Sequence, residues 1–382
     1  MRILICCPAF YLKRELGAAK VSIELAEELE RLGWGCKLVA LYDLVPANTR
    51  NVISKYSIFL RQYLQKYASD FDVVEYDHSH LPFPRSEFSQ RTLFVARSVL
   101  LTHHFDKIVV PDVGSLRSKV RGLLNNNLMH RRRIRRRTQM SLREADLINV
   151  ANYDDKKELV QSGVQAEKIT IIPYGISKQR RAFFNAVSSE TPSKPKIAFV
   201  GTFDSRKGAS DFPHIVRNIC LALPEVTFKL LGTVRSKTEV LNHFPEPFRN
   251  KIEVVPQYPA ERLHELLAEC SIGIFPSYIE GFGFGVLEML AASVPVIAYD
   301  APGPNMMLSA DYLVHRGDIA ALCSKAINLI NDGSKLSVAR EMAKHRSEQF
   351  CWEKIAQQTS QIYTEWVYAK RRELKQLNVA AG

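Results

Sequence analysis

Short runs of continuous apolar residues, each followed by a stretch with helical spacing, recur along the whole chain. This alternation constrains the fold more than any other feature. Arg2–Pro8 is the first such run, and after it Ala18, Val21, Leu25, Leu29 and Leu32 recur at helical spacing until Gly33 stops the helix. Cys36–Leu41, Val73–Glu75, Thr92–Val95 and Ile169–Pro173 read as further strands, and Leu142–Asn152 as helix running into strand. A second series opens at Lys196, with strands Ile197–Val200, Val226–Leu231, Ile252–Val255, Ile272–Phe275 and Val294–Tyr299. Strands that are apolar on both faces and separated by helices predict a parallel sheet covered on both sides. The 382 residues suffice for two such α/β domains. The expected domains are residues 1–185 and 194–353, with the Ser- and Pro-containing stretch 181–195 as linker. A last helix over 354–382 holds Ile355, Ile362 and Trp366 on one face. Sheets of this kind bind their ligands in the crevice at the carboxyl ends of the strands.

Charge is concentrated in one place. The net charge is +12, and residues 117–143 alone hold ten Lys/Arg and no carboxylate. Six of the ten are Arg131, Arg132, Arg133, Arg135, Arg136 and Arg137. Such a stretch points to an anionic partner: membrane headgroups, an acidic acceptor or nucleic acid. No Phe, Tyr or Trp falls within 117–143 to stack bases, which disfavours nucleic acid. Ile134 is the one apolar residue inside the arginine run, so the expected contact is electrostatic attachment to an anionic membrane through Arg131–Arg137, without deep insertion. Seven cysteines without a C-x-x-C pair predict reduced thiols and a cytoplasmic protein. The opening apolar run is followed by Lys13, Arg14 and Glu15 and reads as a buried strand, not a signal peptide. No run of about eighteen apolar residues spans a membrane.

The stretch PSYIEGFGFGVLEML, from Pro276, carries the chemistry. It leaves an apolar strand, places Gly281, Gly283 and Gly285 in alternation with Phe282 and Phe284, and enters a helix at Val286. Glycines let the backbone approach a ligand closely, and a new helix offers N–H groups and a positive dipole end to a phosphate. Glu280 lies in the turn and Glu288 about one turn into the helix. If 280–288 were all helical, the carboxylates would be about 12 Å apart along the axis, suited to different parts of one long ligand.

This stretch resembles the E-x7-E signature of the family 4 retaining glycosyltransferases, whose GT-B fold has two Rossmann-like domains facing across a cleft. The resemblance implies that Glu280 lies beside the donor sugar and that Glu288 binds the ribose hydroxyls. It further implies that Gly281, Phe282, Gly283 and Phe284 hold the sugar, with Gly285 and Val286 on the diphosphate. GTFDSRKG, residues 201–208, resembles the family's phosphate turn: Lys207 matches its lysine, and Arg206 replaces the usual arginine, whose place Thr202 takes. ELGAAK, residues 15–20, resembles the paired-glycine helix start, with Gly17 kept and Ala18 in place of the second glycine. IIPYGI, residues 171–176, resembles the strand end before the linker. FCWEKIAQQ, residues 350–358, resembles the segment where the chain crosses back to the first domain.

The resemblance further implies a histidine near the donor sugar, for which VARSVLLTHHF offers His103 and His104, with His103 taken as the catalytic residue; Asp77, His78 and His80, in YDHSH after another strand, are expected to line the acceptor cleft. Asp70 and Asp72 form a D-x-D, but it precedes its strand and so faces the wrong end of the sheet for a metal-bound donor. No His/Cys cluster has zinc spacing. The expectation is a glycosyltransferase with a nucleotide-sugar co-substrate, an acceptor glycan or glycolipid, and no metal or other cofactor. A nucleotide-sugar epimerase shares the architecture, and a polyanion-binding protein on a degenerate scaffold is a further alternative. The E-x7-E with its Gly-Phe repeat fits the transferase better.

Overall fold

The computed structural model describes residues 1–12, 17–46, 49, 52–111, 128–186, 192 and 194–380. It divides into two compact units, Met1–Thr102 with Asn126–Tyr174 and Trp352–Gly382, and His103–Asn125 with Gly175–Cys351.

The first unit is a six-stranded parallel sheet. Its strands are β1 (Arg2–Cys6), β2 (Gly35–Val39), β3 (Val73–Asp77), β4 (Leu93–Arg97), β5 (Leu147–Val150) and β6 (Ile169–Ile171). Their order is β2-β1-β3-β4-β5-β6. β1 and β4 are continuous apolar runs because both sheet faces are covered: Ile3, Leu4, Leu93, Phe94 and Val95 are all buried. Helix α1 (Gly17–Arg31) buries Val21, Leu25 and Leu29 as its spacing predicts. Leu32 lies past the helix end and is exposed, because Gly33 takes φ 85° and turns the chain away. Helix α2 (Val52–Tyr67) precedes β3, and α3 (Leu128–Arg143) precedes β5.

The second unit repeats the plan with β7 (Lys196–Val200), β8 (Thr227–Leu231), β9 (Ile252–Val255), β10 (Ile272–Phe275), β11 (Val296–Tyr299) and β12 (Leu313–Val314). The order is β12-β11-β10-β7-β8-β9, the doubly wound arrangement that reverses between its first and fourth strands. Its helices include α4 (Lys178–Asn185), α5 (Phe212–Ala222) and α6 (Phe284–Ala291). Residues Gly285–Ala291 of α6 are all buried, and accordingly α6 has no polar face.

The chain returns to the first unit at 350–352. Ile176 N–H donates to Phe350 O at 3.0 Å, and Ile176 pairs with Cys351. Helix α7 (Trp352–Ala380) then docks on α1, with Trp352 Nε1 donating to Glu24 Oε2 at 2.6 Å. The buried stripe of α7 is Ile355, Thr359, Tyr363 and Val367 at four-residue spacing. Ile362 and Trp366 are only half-buried, one position off the expected face. Tyr363 takes the buried position instead, and its hydroxyl donates to Glu75 Oε2 at 2.6 Å inside the sheet. The division between units falls at 174/175, and α4 groups with the second unit, where Arg180 bonds to Glu288 and Phe183 stacks on His264.

Candidate active site

In the second sheet, β10 pairs directly with β7, Ile272 with Ile197 and Gly273 with Ala198. This is the switch point of the topology, where the connections leave in opposite directions and open a crevice. The chain leaves β7 into residues 201–208 and leaves β10 into 276–283. Both motifs singled out in the sequence therefore arrive at one place, from strands 75 residues apart.

The turn after β7 is built by local capping. Asp204 accepts from Lys207 N–H at 3.1 Å and fixes a single 3₁₀ turn over Ser205–Lys207. Thr202 Oγ1 donates to Asp204 Oδ2 at 2.5 Å, so the residue that replaces the family's arginine shapes the turn. Gly208 closes it at φ 81°, and a Cβ there would lie 2.2 Å from Pro276 O. Only glycine permits that approach, and it brings the two loops together. Tyr278 N–H donates to Arg206 O at 2.9 Å, and Arg206 Nη1 donates to Ile279 O at 2.9 Å. Beneath them the buried Asp211 Oδ2 accepts from Tyr278 Oη at 2.8 Å and from Tyr299 Oη at 2.7 Å. Burial and this carboxylate push both phenols above their ordinary pKa, so they stay protonated as donors.

This scaffold aims three charges at one another. Lys207 Nζ lies 2.5 Å from Glu280 Oε1, and Arg206 Nη1 lies 3.5 Å from the same oxygen. The Glu280 side chain is 7% exposed and that of Lys207 13%. Lys207 also sits over the Phe275 ring, 5.0 Å from its centroid. A carboxylate this far from water needs a paired cation. Two cations on one carboxylate leave a positive surplus that suits a second anion.

Past Glu280, Gly283 takes φ 90° and opens α6 without a side-chain cap. A Cβ on Gly285 would lie 2.2 Å from Val200 O, so glycine there seats the helix against the end of β7. Val286 N–H donates to Gly283 O at 2.9 Å and is committed within the turn. Glu288 lies in the second turn of α6, where Arg180 Nη2 from α4 donates to its Oε1 at 2.6 Å. Burial first, and then the Glu288 charge, push the Tyr258 phenol above its ordinary pKa, with Arg180 opposing.

The structure thus brings together Arg206, Lys207, Gly281, Phe282, Gly283, Phe284, Gly285, Val286, Glu280 and Glu288 on two adjoining loops and one helix of a single unit. Arg180, Asp211, Tyr278 and Tyr299 were not found from sequence. The Arg180–Glu288 bond spans 108 residues and the Tyr278–Asp211 bond 67, and no local pattern announces either.

The remaining expected residues belong to other elements. Gly17 opens α1, while residues 13–16 lie outside the described residues. His103 is buried just before the short helix His104–Lys107 and groups with the second unit, although it follows β4. Asp77 ends β3, beside the switch point of the first sheet. His78 Nδ1 and His80 Nδ1 lie 3.5 and 3.8 Å from its carboxylate, and Ser79 Oγ donates to it at 2.7 Å. Burial raises the Asp77 pKa, but these neighbours outweigh it and hold the carboxyl well below the usual range. Asp70 and Asp72 lie at the amino end of β3. Asp72 accepts from Arg2 N–H at 2.7 Å and pairs with Arg371, so it ties chain segments together instead of facing the crevice.

Within the basic stretch, residues 117–127 and the Arg131 side chain lie outside the described residues. Arg132, Arg133, Arg136 and Arg137 of α3 line a groove of about 770 Å³ with Ile58, Phe83 and Met140. No helix among the described residues is long and apolar enough to cross a membrane.

Two six-stranded parallel sheets with flanking helices, in these strand orders, define the GT-B class of fold. Residues 17–180 match Glycosyltransferase Family 4 and residues 194–332 match Glycosyl transferases group 1. The chain belongs to glycosyltransferase family 4. It is 27% identical over 170 residues to an uncharacterized glycosyltransferase of Methanocaldococcus jannaschii, over 44% of this chain and 47% of that protein. The chain thus spans about half the length of that curated relative. The sucrose-phosphate synthase structure from Thermosynechococcus elongatus superposes with TM-score 0.72 at 18% identity, over 97% of this chain and all of that one. Anabaena HepE, solved in complex with UDP-glucose, superposes with TM-score 0.66 at 15% identity, over 96% of this chain and 100% of that one.

Proposed function

We propose that the protein is a retaining glycosyltransferase that moves a sugar from a nucleotide-sugar donor to a hydroxyl acceptor on a glycan, glycolipid or polysaccharide precursor. The observation that carries this reading is the meeting of Lys207 and Arg206 with Glu280 at the switch point of the second sheet. Lys207, Arg206 and the start of α6 hold the donor diphosphate. Glu280 faces the positive charge that develops at the anomeric carbon, and Glu288 takes the ribose hydroxyls. The anomeric C–O bond to phosphate breaks as the acceptor oxygen bonds to the same face. The leaving diphosphate gains negative charge, which the fixed cations stabilise, and a phosphate oxygen takes the acceptor proton. Because Lys207 already sits on Glu280, an incoming diphosphate shares that cation, and the lysine separates two anions that would otherwise repel. His103 is proposed near the donor sugar, and Asp77, His78 and His80 on the acceptor. With cations built into the turn, the reaction needs no divalent ion, and activity persists in excess chelator.

The likeness to a fold solved with UDP-glucose supports a nucleoside diphosphate sugar as donor. A thermal-shift panel of UDP-, GDP- and ADP-sugars tests it. A true donor at a hundred times its Kd stabilises by about 2.7 kcal/mol. No shift with any member would overturn the donor reading.

A second reading concerns the partner surface. We propose that α3 attaches the protein to an anionic membrane, on the cytoplasmic side. In addition to charge, the groove has apolar lining: Ile58 and Met140 are exposed, and Phe83 lines it with them and the arginines. The fold adds apolar area that the arginine run lacks, so the contact combines electrostatic attraction with shallow apolar burial.

A further inference from the structure

Glu288 is a carboxylate on a helix with no polar face, and its side chain is 10% exposed. A group so placed holds its charge and its direction only through a partner. The partner is Arg180, 12% exposed, with Nη2 at 2.6 Å from Glu288 Oε1. Arg180 comes from α4, the first helix after the chain re-enters the second unit at Gly175. That helix is fixed independently of the pair: Phe184 is buried, and Phe183 stacks on His264 with centroids 5.5 Å apart and planes at 15°. The guanidinium is therefore a planar donor on an anchored arm, and a charge-assisted bond of this length sets the carboxylate rotamer.

We propose that Arg180 is a positioning residue for the ribose of the donor, acting through Glu288. The inference rests on the reading of Glu288 as the ribose ligand. Arg180 holds the carboxylate aimed, so the hydroxyls meet a pre-set acceptor without first ordering a buried side chain. The diphosphate is read by Lys207 and Arg206 on the other loop, so loss of Arg180 changes recognition of the sugar hydroxyls of the nucleoside and leaves recognition of phosphate alone.

The test is calorimetry on the full chain with UDP, GDP and ADP, their 2′,3′-dideoxy forms, and inorganic pyrophosphate. Arg180→Ala is expected to weaken whichever nucleoside diphosphate binds by about tenfold or more, as for a lost bond to a charged group. Affinity for the dideoxy form and for pyrophosphate is expected to stay within twofold. Arg180→Lys, which keeps the charge without the planar fork, is expected to fall between and guards against a variant that fails to fold. In the Glu288→Ala background, Arg180→Ala is expected to add nothing. Equal loss for ribose and dideoxy ligands, or no loss for either, would overturn the role of Arg180. If Glu288→Ala itself leaves nucleotide affinity unchanged, or if none of the three nucleotides binds, the ribose reading of Glu288 falls instead.

Discussion

Each unit contains a buried acid paired with a base, and the two are built differently. In the first unit, Arg97 Nη1 lies 3.1 Å from both oxygens of Glu75, with side chains 5% and 3% exposed. Tyr363 donates to the same carboxylate, and Asn149 Nδ2 reaches Tyr363 Oη at 3.4 Å. This pair lies within the sheet, on β3 and β4, with α7 closing over it. In the second unit, Glu280 and Glu288 lie beyond the strand ends, on a glycine turn and the helix that follows. Their cations come from a capped loop and from α4. Sealed inside a sheet, an ion pair holds elements together, here the returning helix and the sheet. Placed at a switch point, the same chemistry leaves charges that a ligand can recruit. The difference lies in position relative to the strand ends, not in residue type.

Four measurements break or sharpen this comparison. Arg97→Ala leaves Glu75 buried without its cation and is expected to destabilise the first unit by about 3–5 kcal/mol. Denaturant unfolding reads it, and nucleotide affinity of the folded protein is expected to stay unchanged. If affinity fell as much as stability, the division between structural and ligand-recruiting pairs would fail. Glu280→Gln is the converse case. It is expected to lower turnover about 10²-fold or more with little change in unfolding free energy. Near-native turnover with the correct donor and acceptor would remove Glu280 from the chemistry.

Lys207→Ala is expected to weaken the nucleoside diphosphate by about 1.5–3 kcal/mol and the free nucleoside hardly at all. Calorimetry with both ligands checks this, and an equal loss for the two would show that Lys207 does not read phosphate. The smallest effects belong to the α3 groove. Each rim arginine changed to Ala is expected to cost about 1 kcal/mol of binding to phosphatidylglycerol vesicles at low salt, fading as salt rises. Phe83→Ser is expected to weaken the part of binding that survives salt. Sedimentation with phosphatidylcholine vesicles is the control, and equal binding to both lipids would remove the electrostatic component.

Much of this was legible in the residues alone. β10 begins and ends where its apolar run does, Ile272–Phe275, and every residue of it is buried. A fully covered strand needs every side chain apolar, so its limits are written in composition. The glycines of 281–285 marked the turn because no other residue allows its backbone to pack so closely. The crossing back at 350–352 came from the family resemblance of FCWEKIAQQ, and it falls where Ile176 N–H donates to Phe350 O.

What the chain pattern determined by itself was therefore local: which segments are strands, where helices start, and which loops carry unusual backbone. The tertiary structure decided everything that depends on two segments meeting. Tyr363, not Ile362 or Trp366, joined the buried stripe of α7, where its phenol reaches Glu75 from a distant strand. Ile58 and Phe83 gave the arginine run an apolar lining. Arg180 found Glu288 across 108 residues. Periodicity records the face of one element against an average core. A hydrogen bond of 2.6 Å between distant side chains depends on the register and rotation of both elements at once, and that information exists only when the chain is folded.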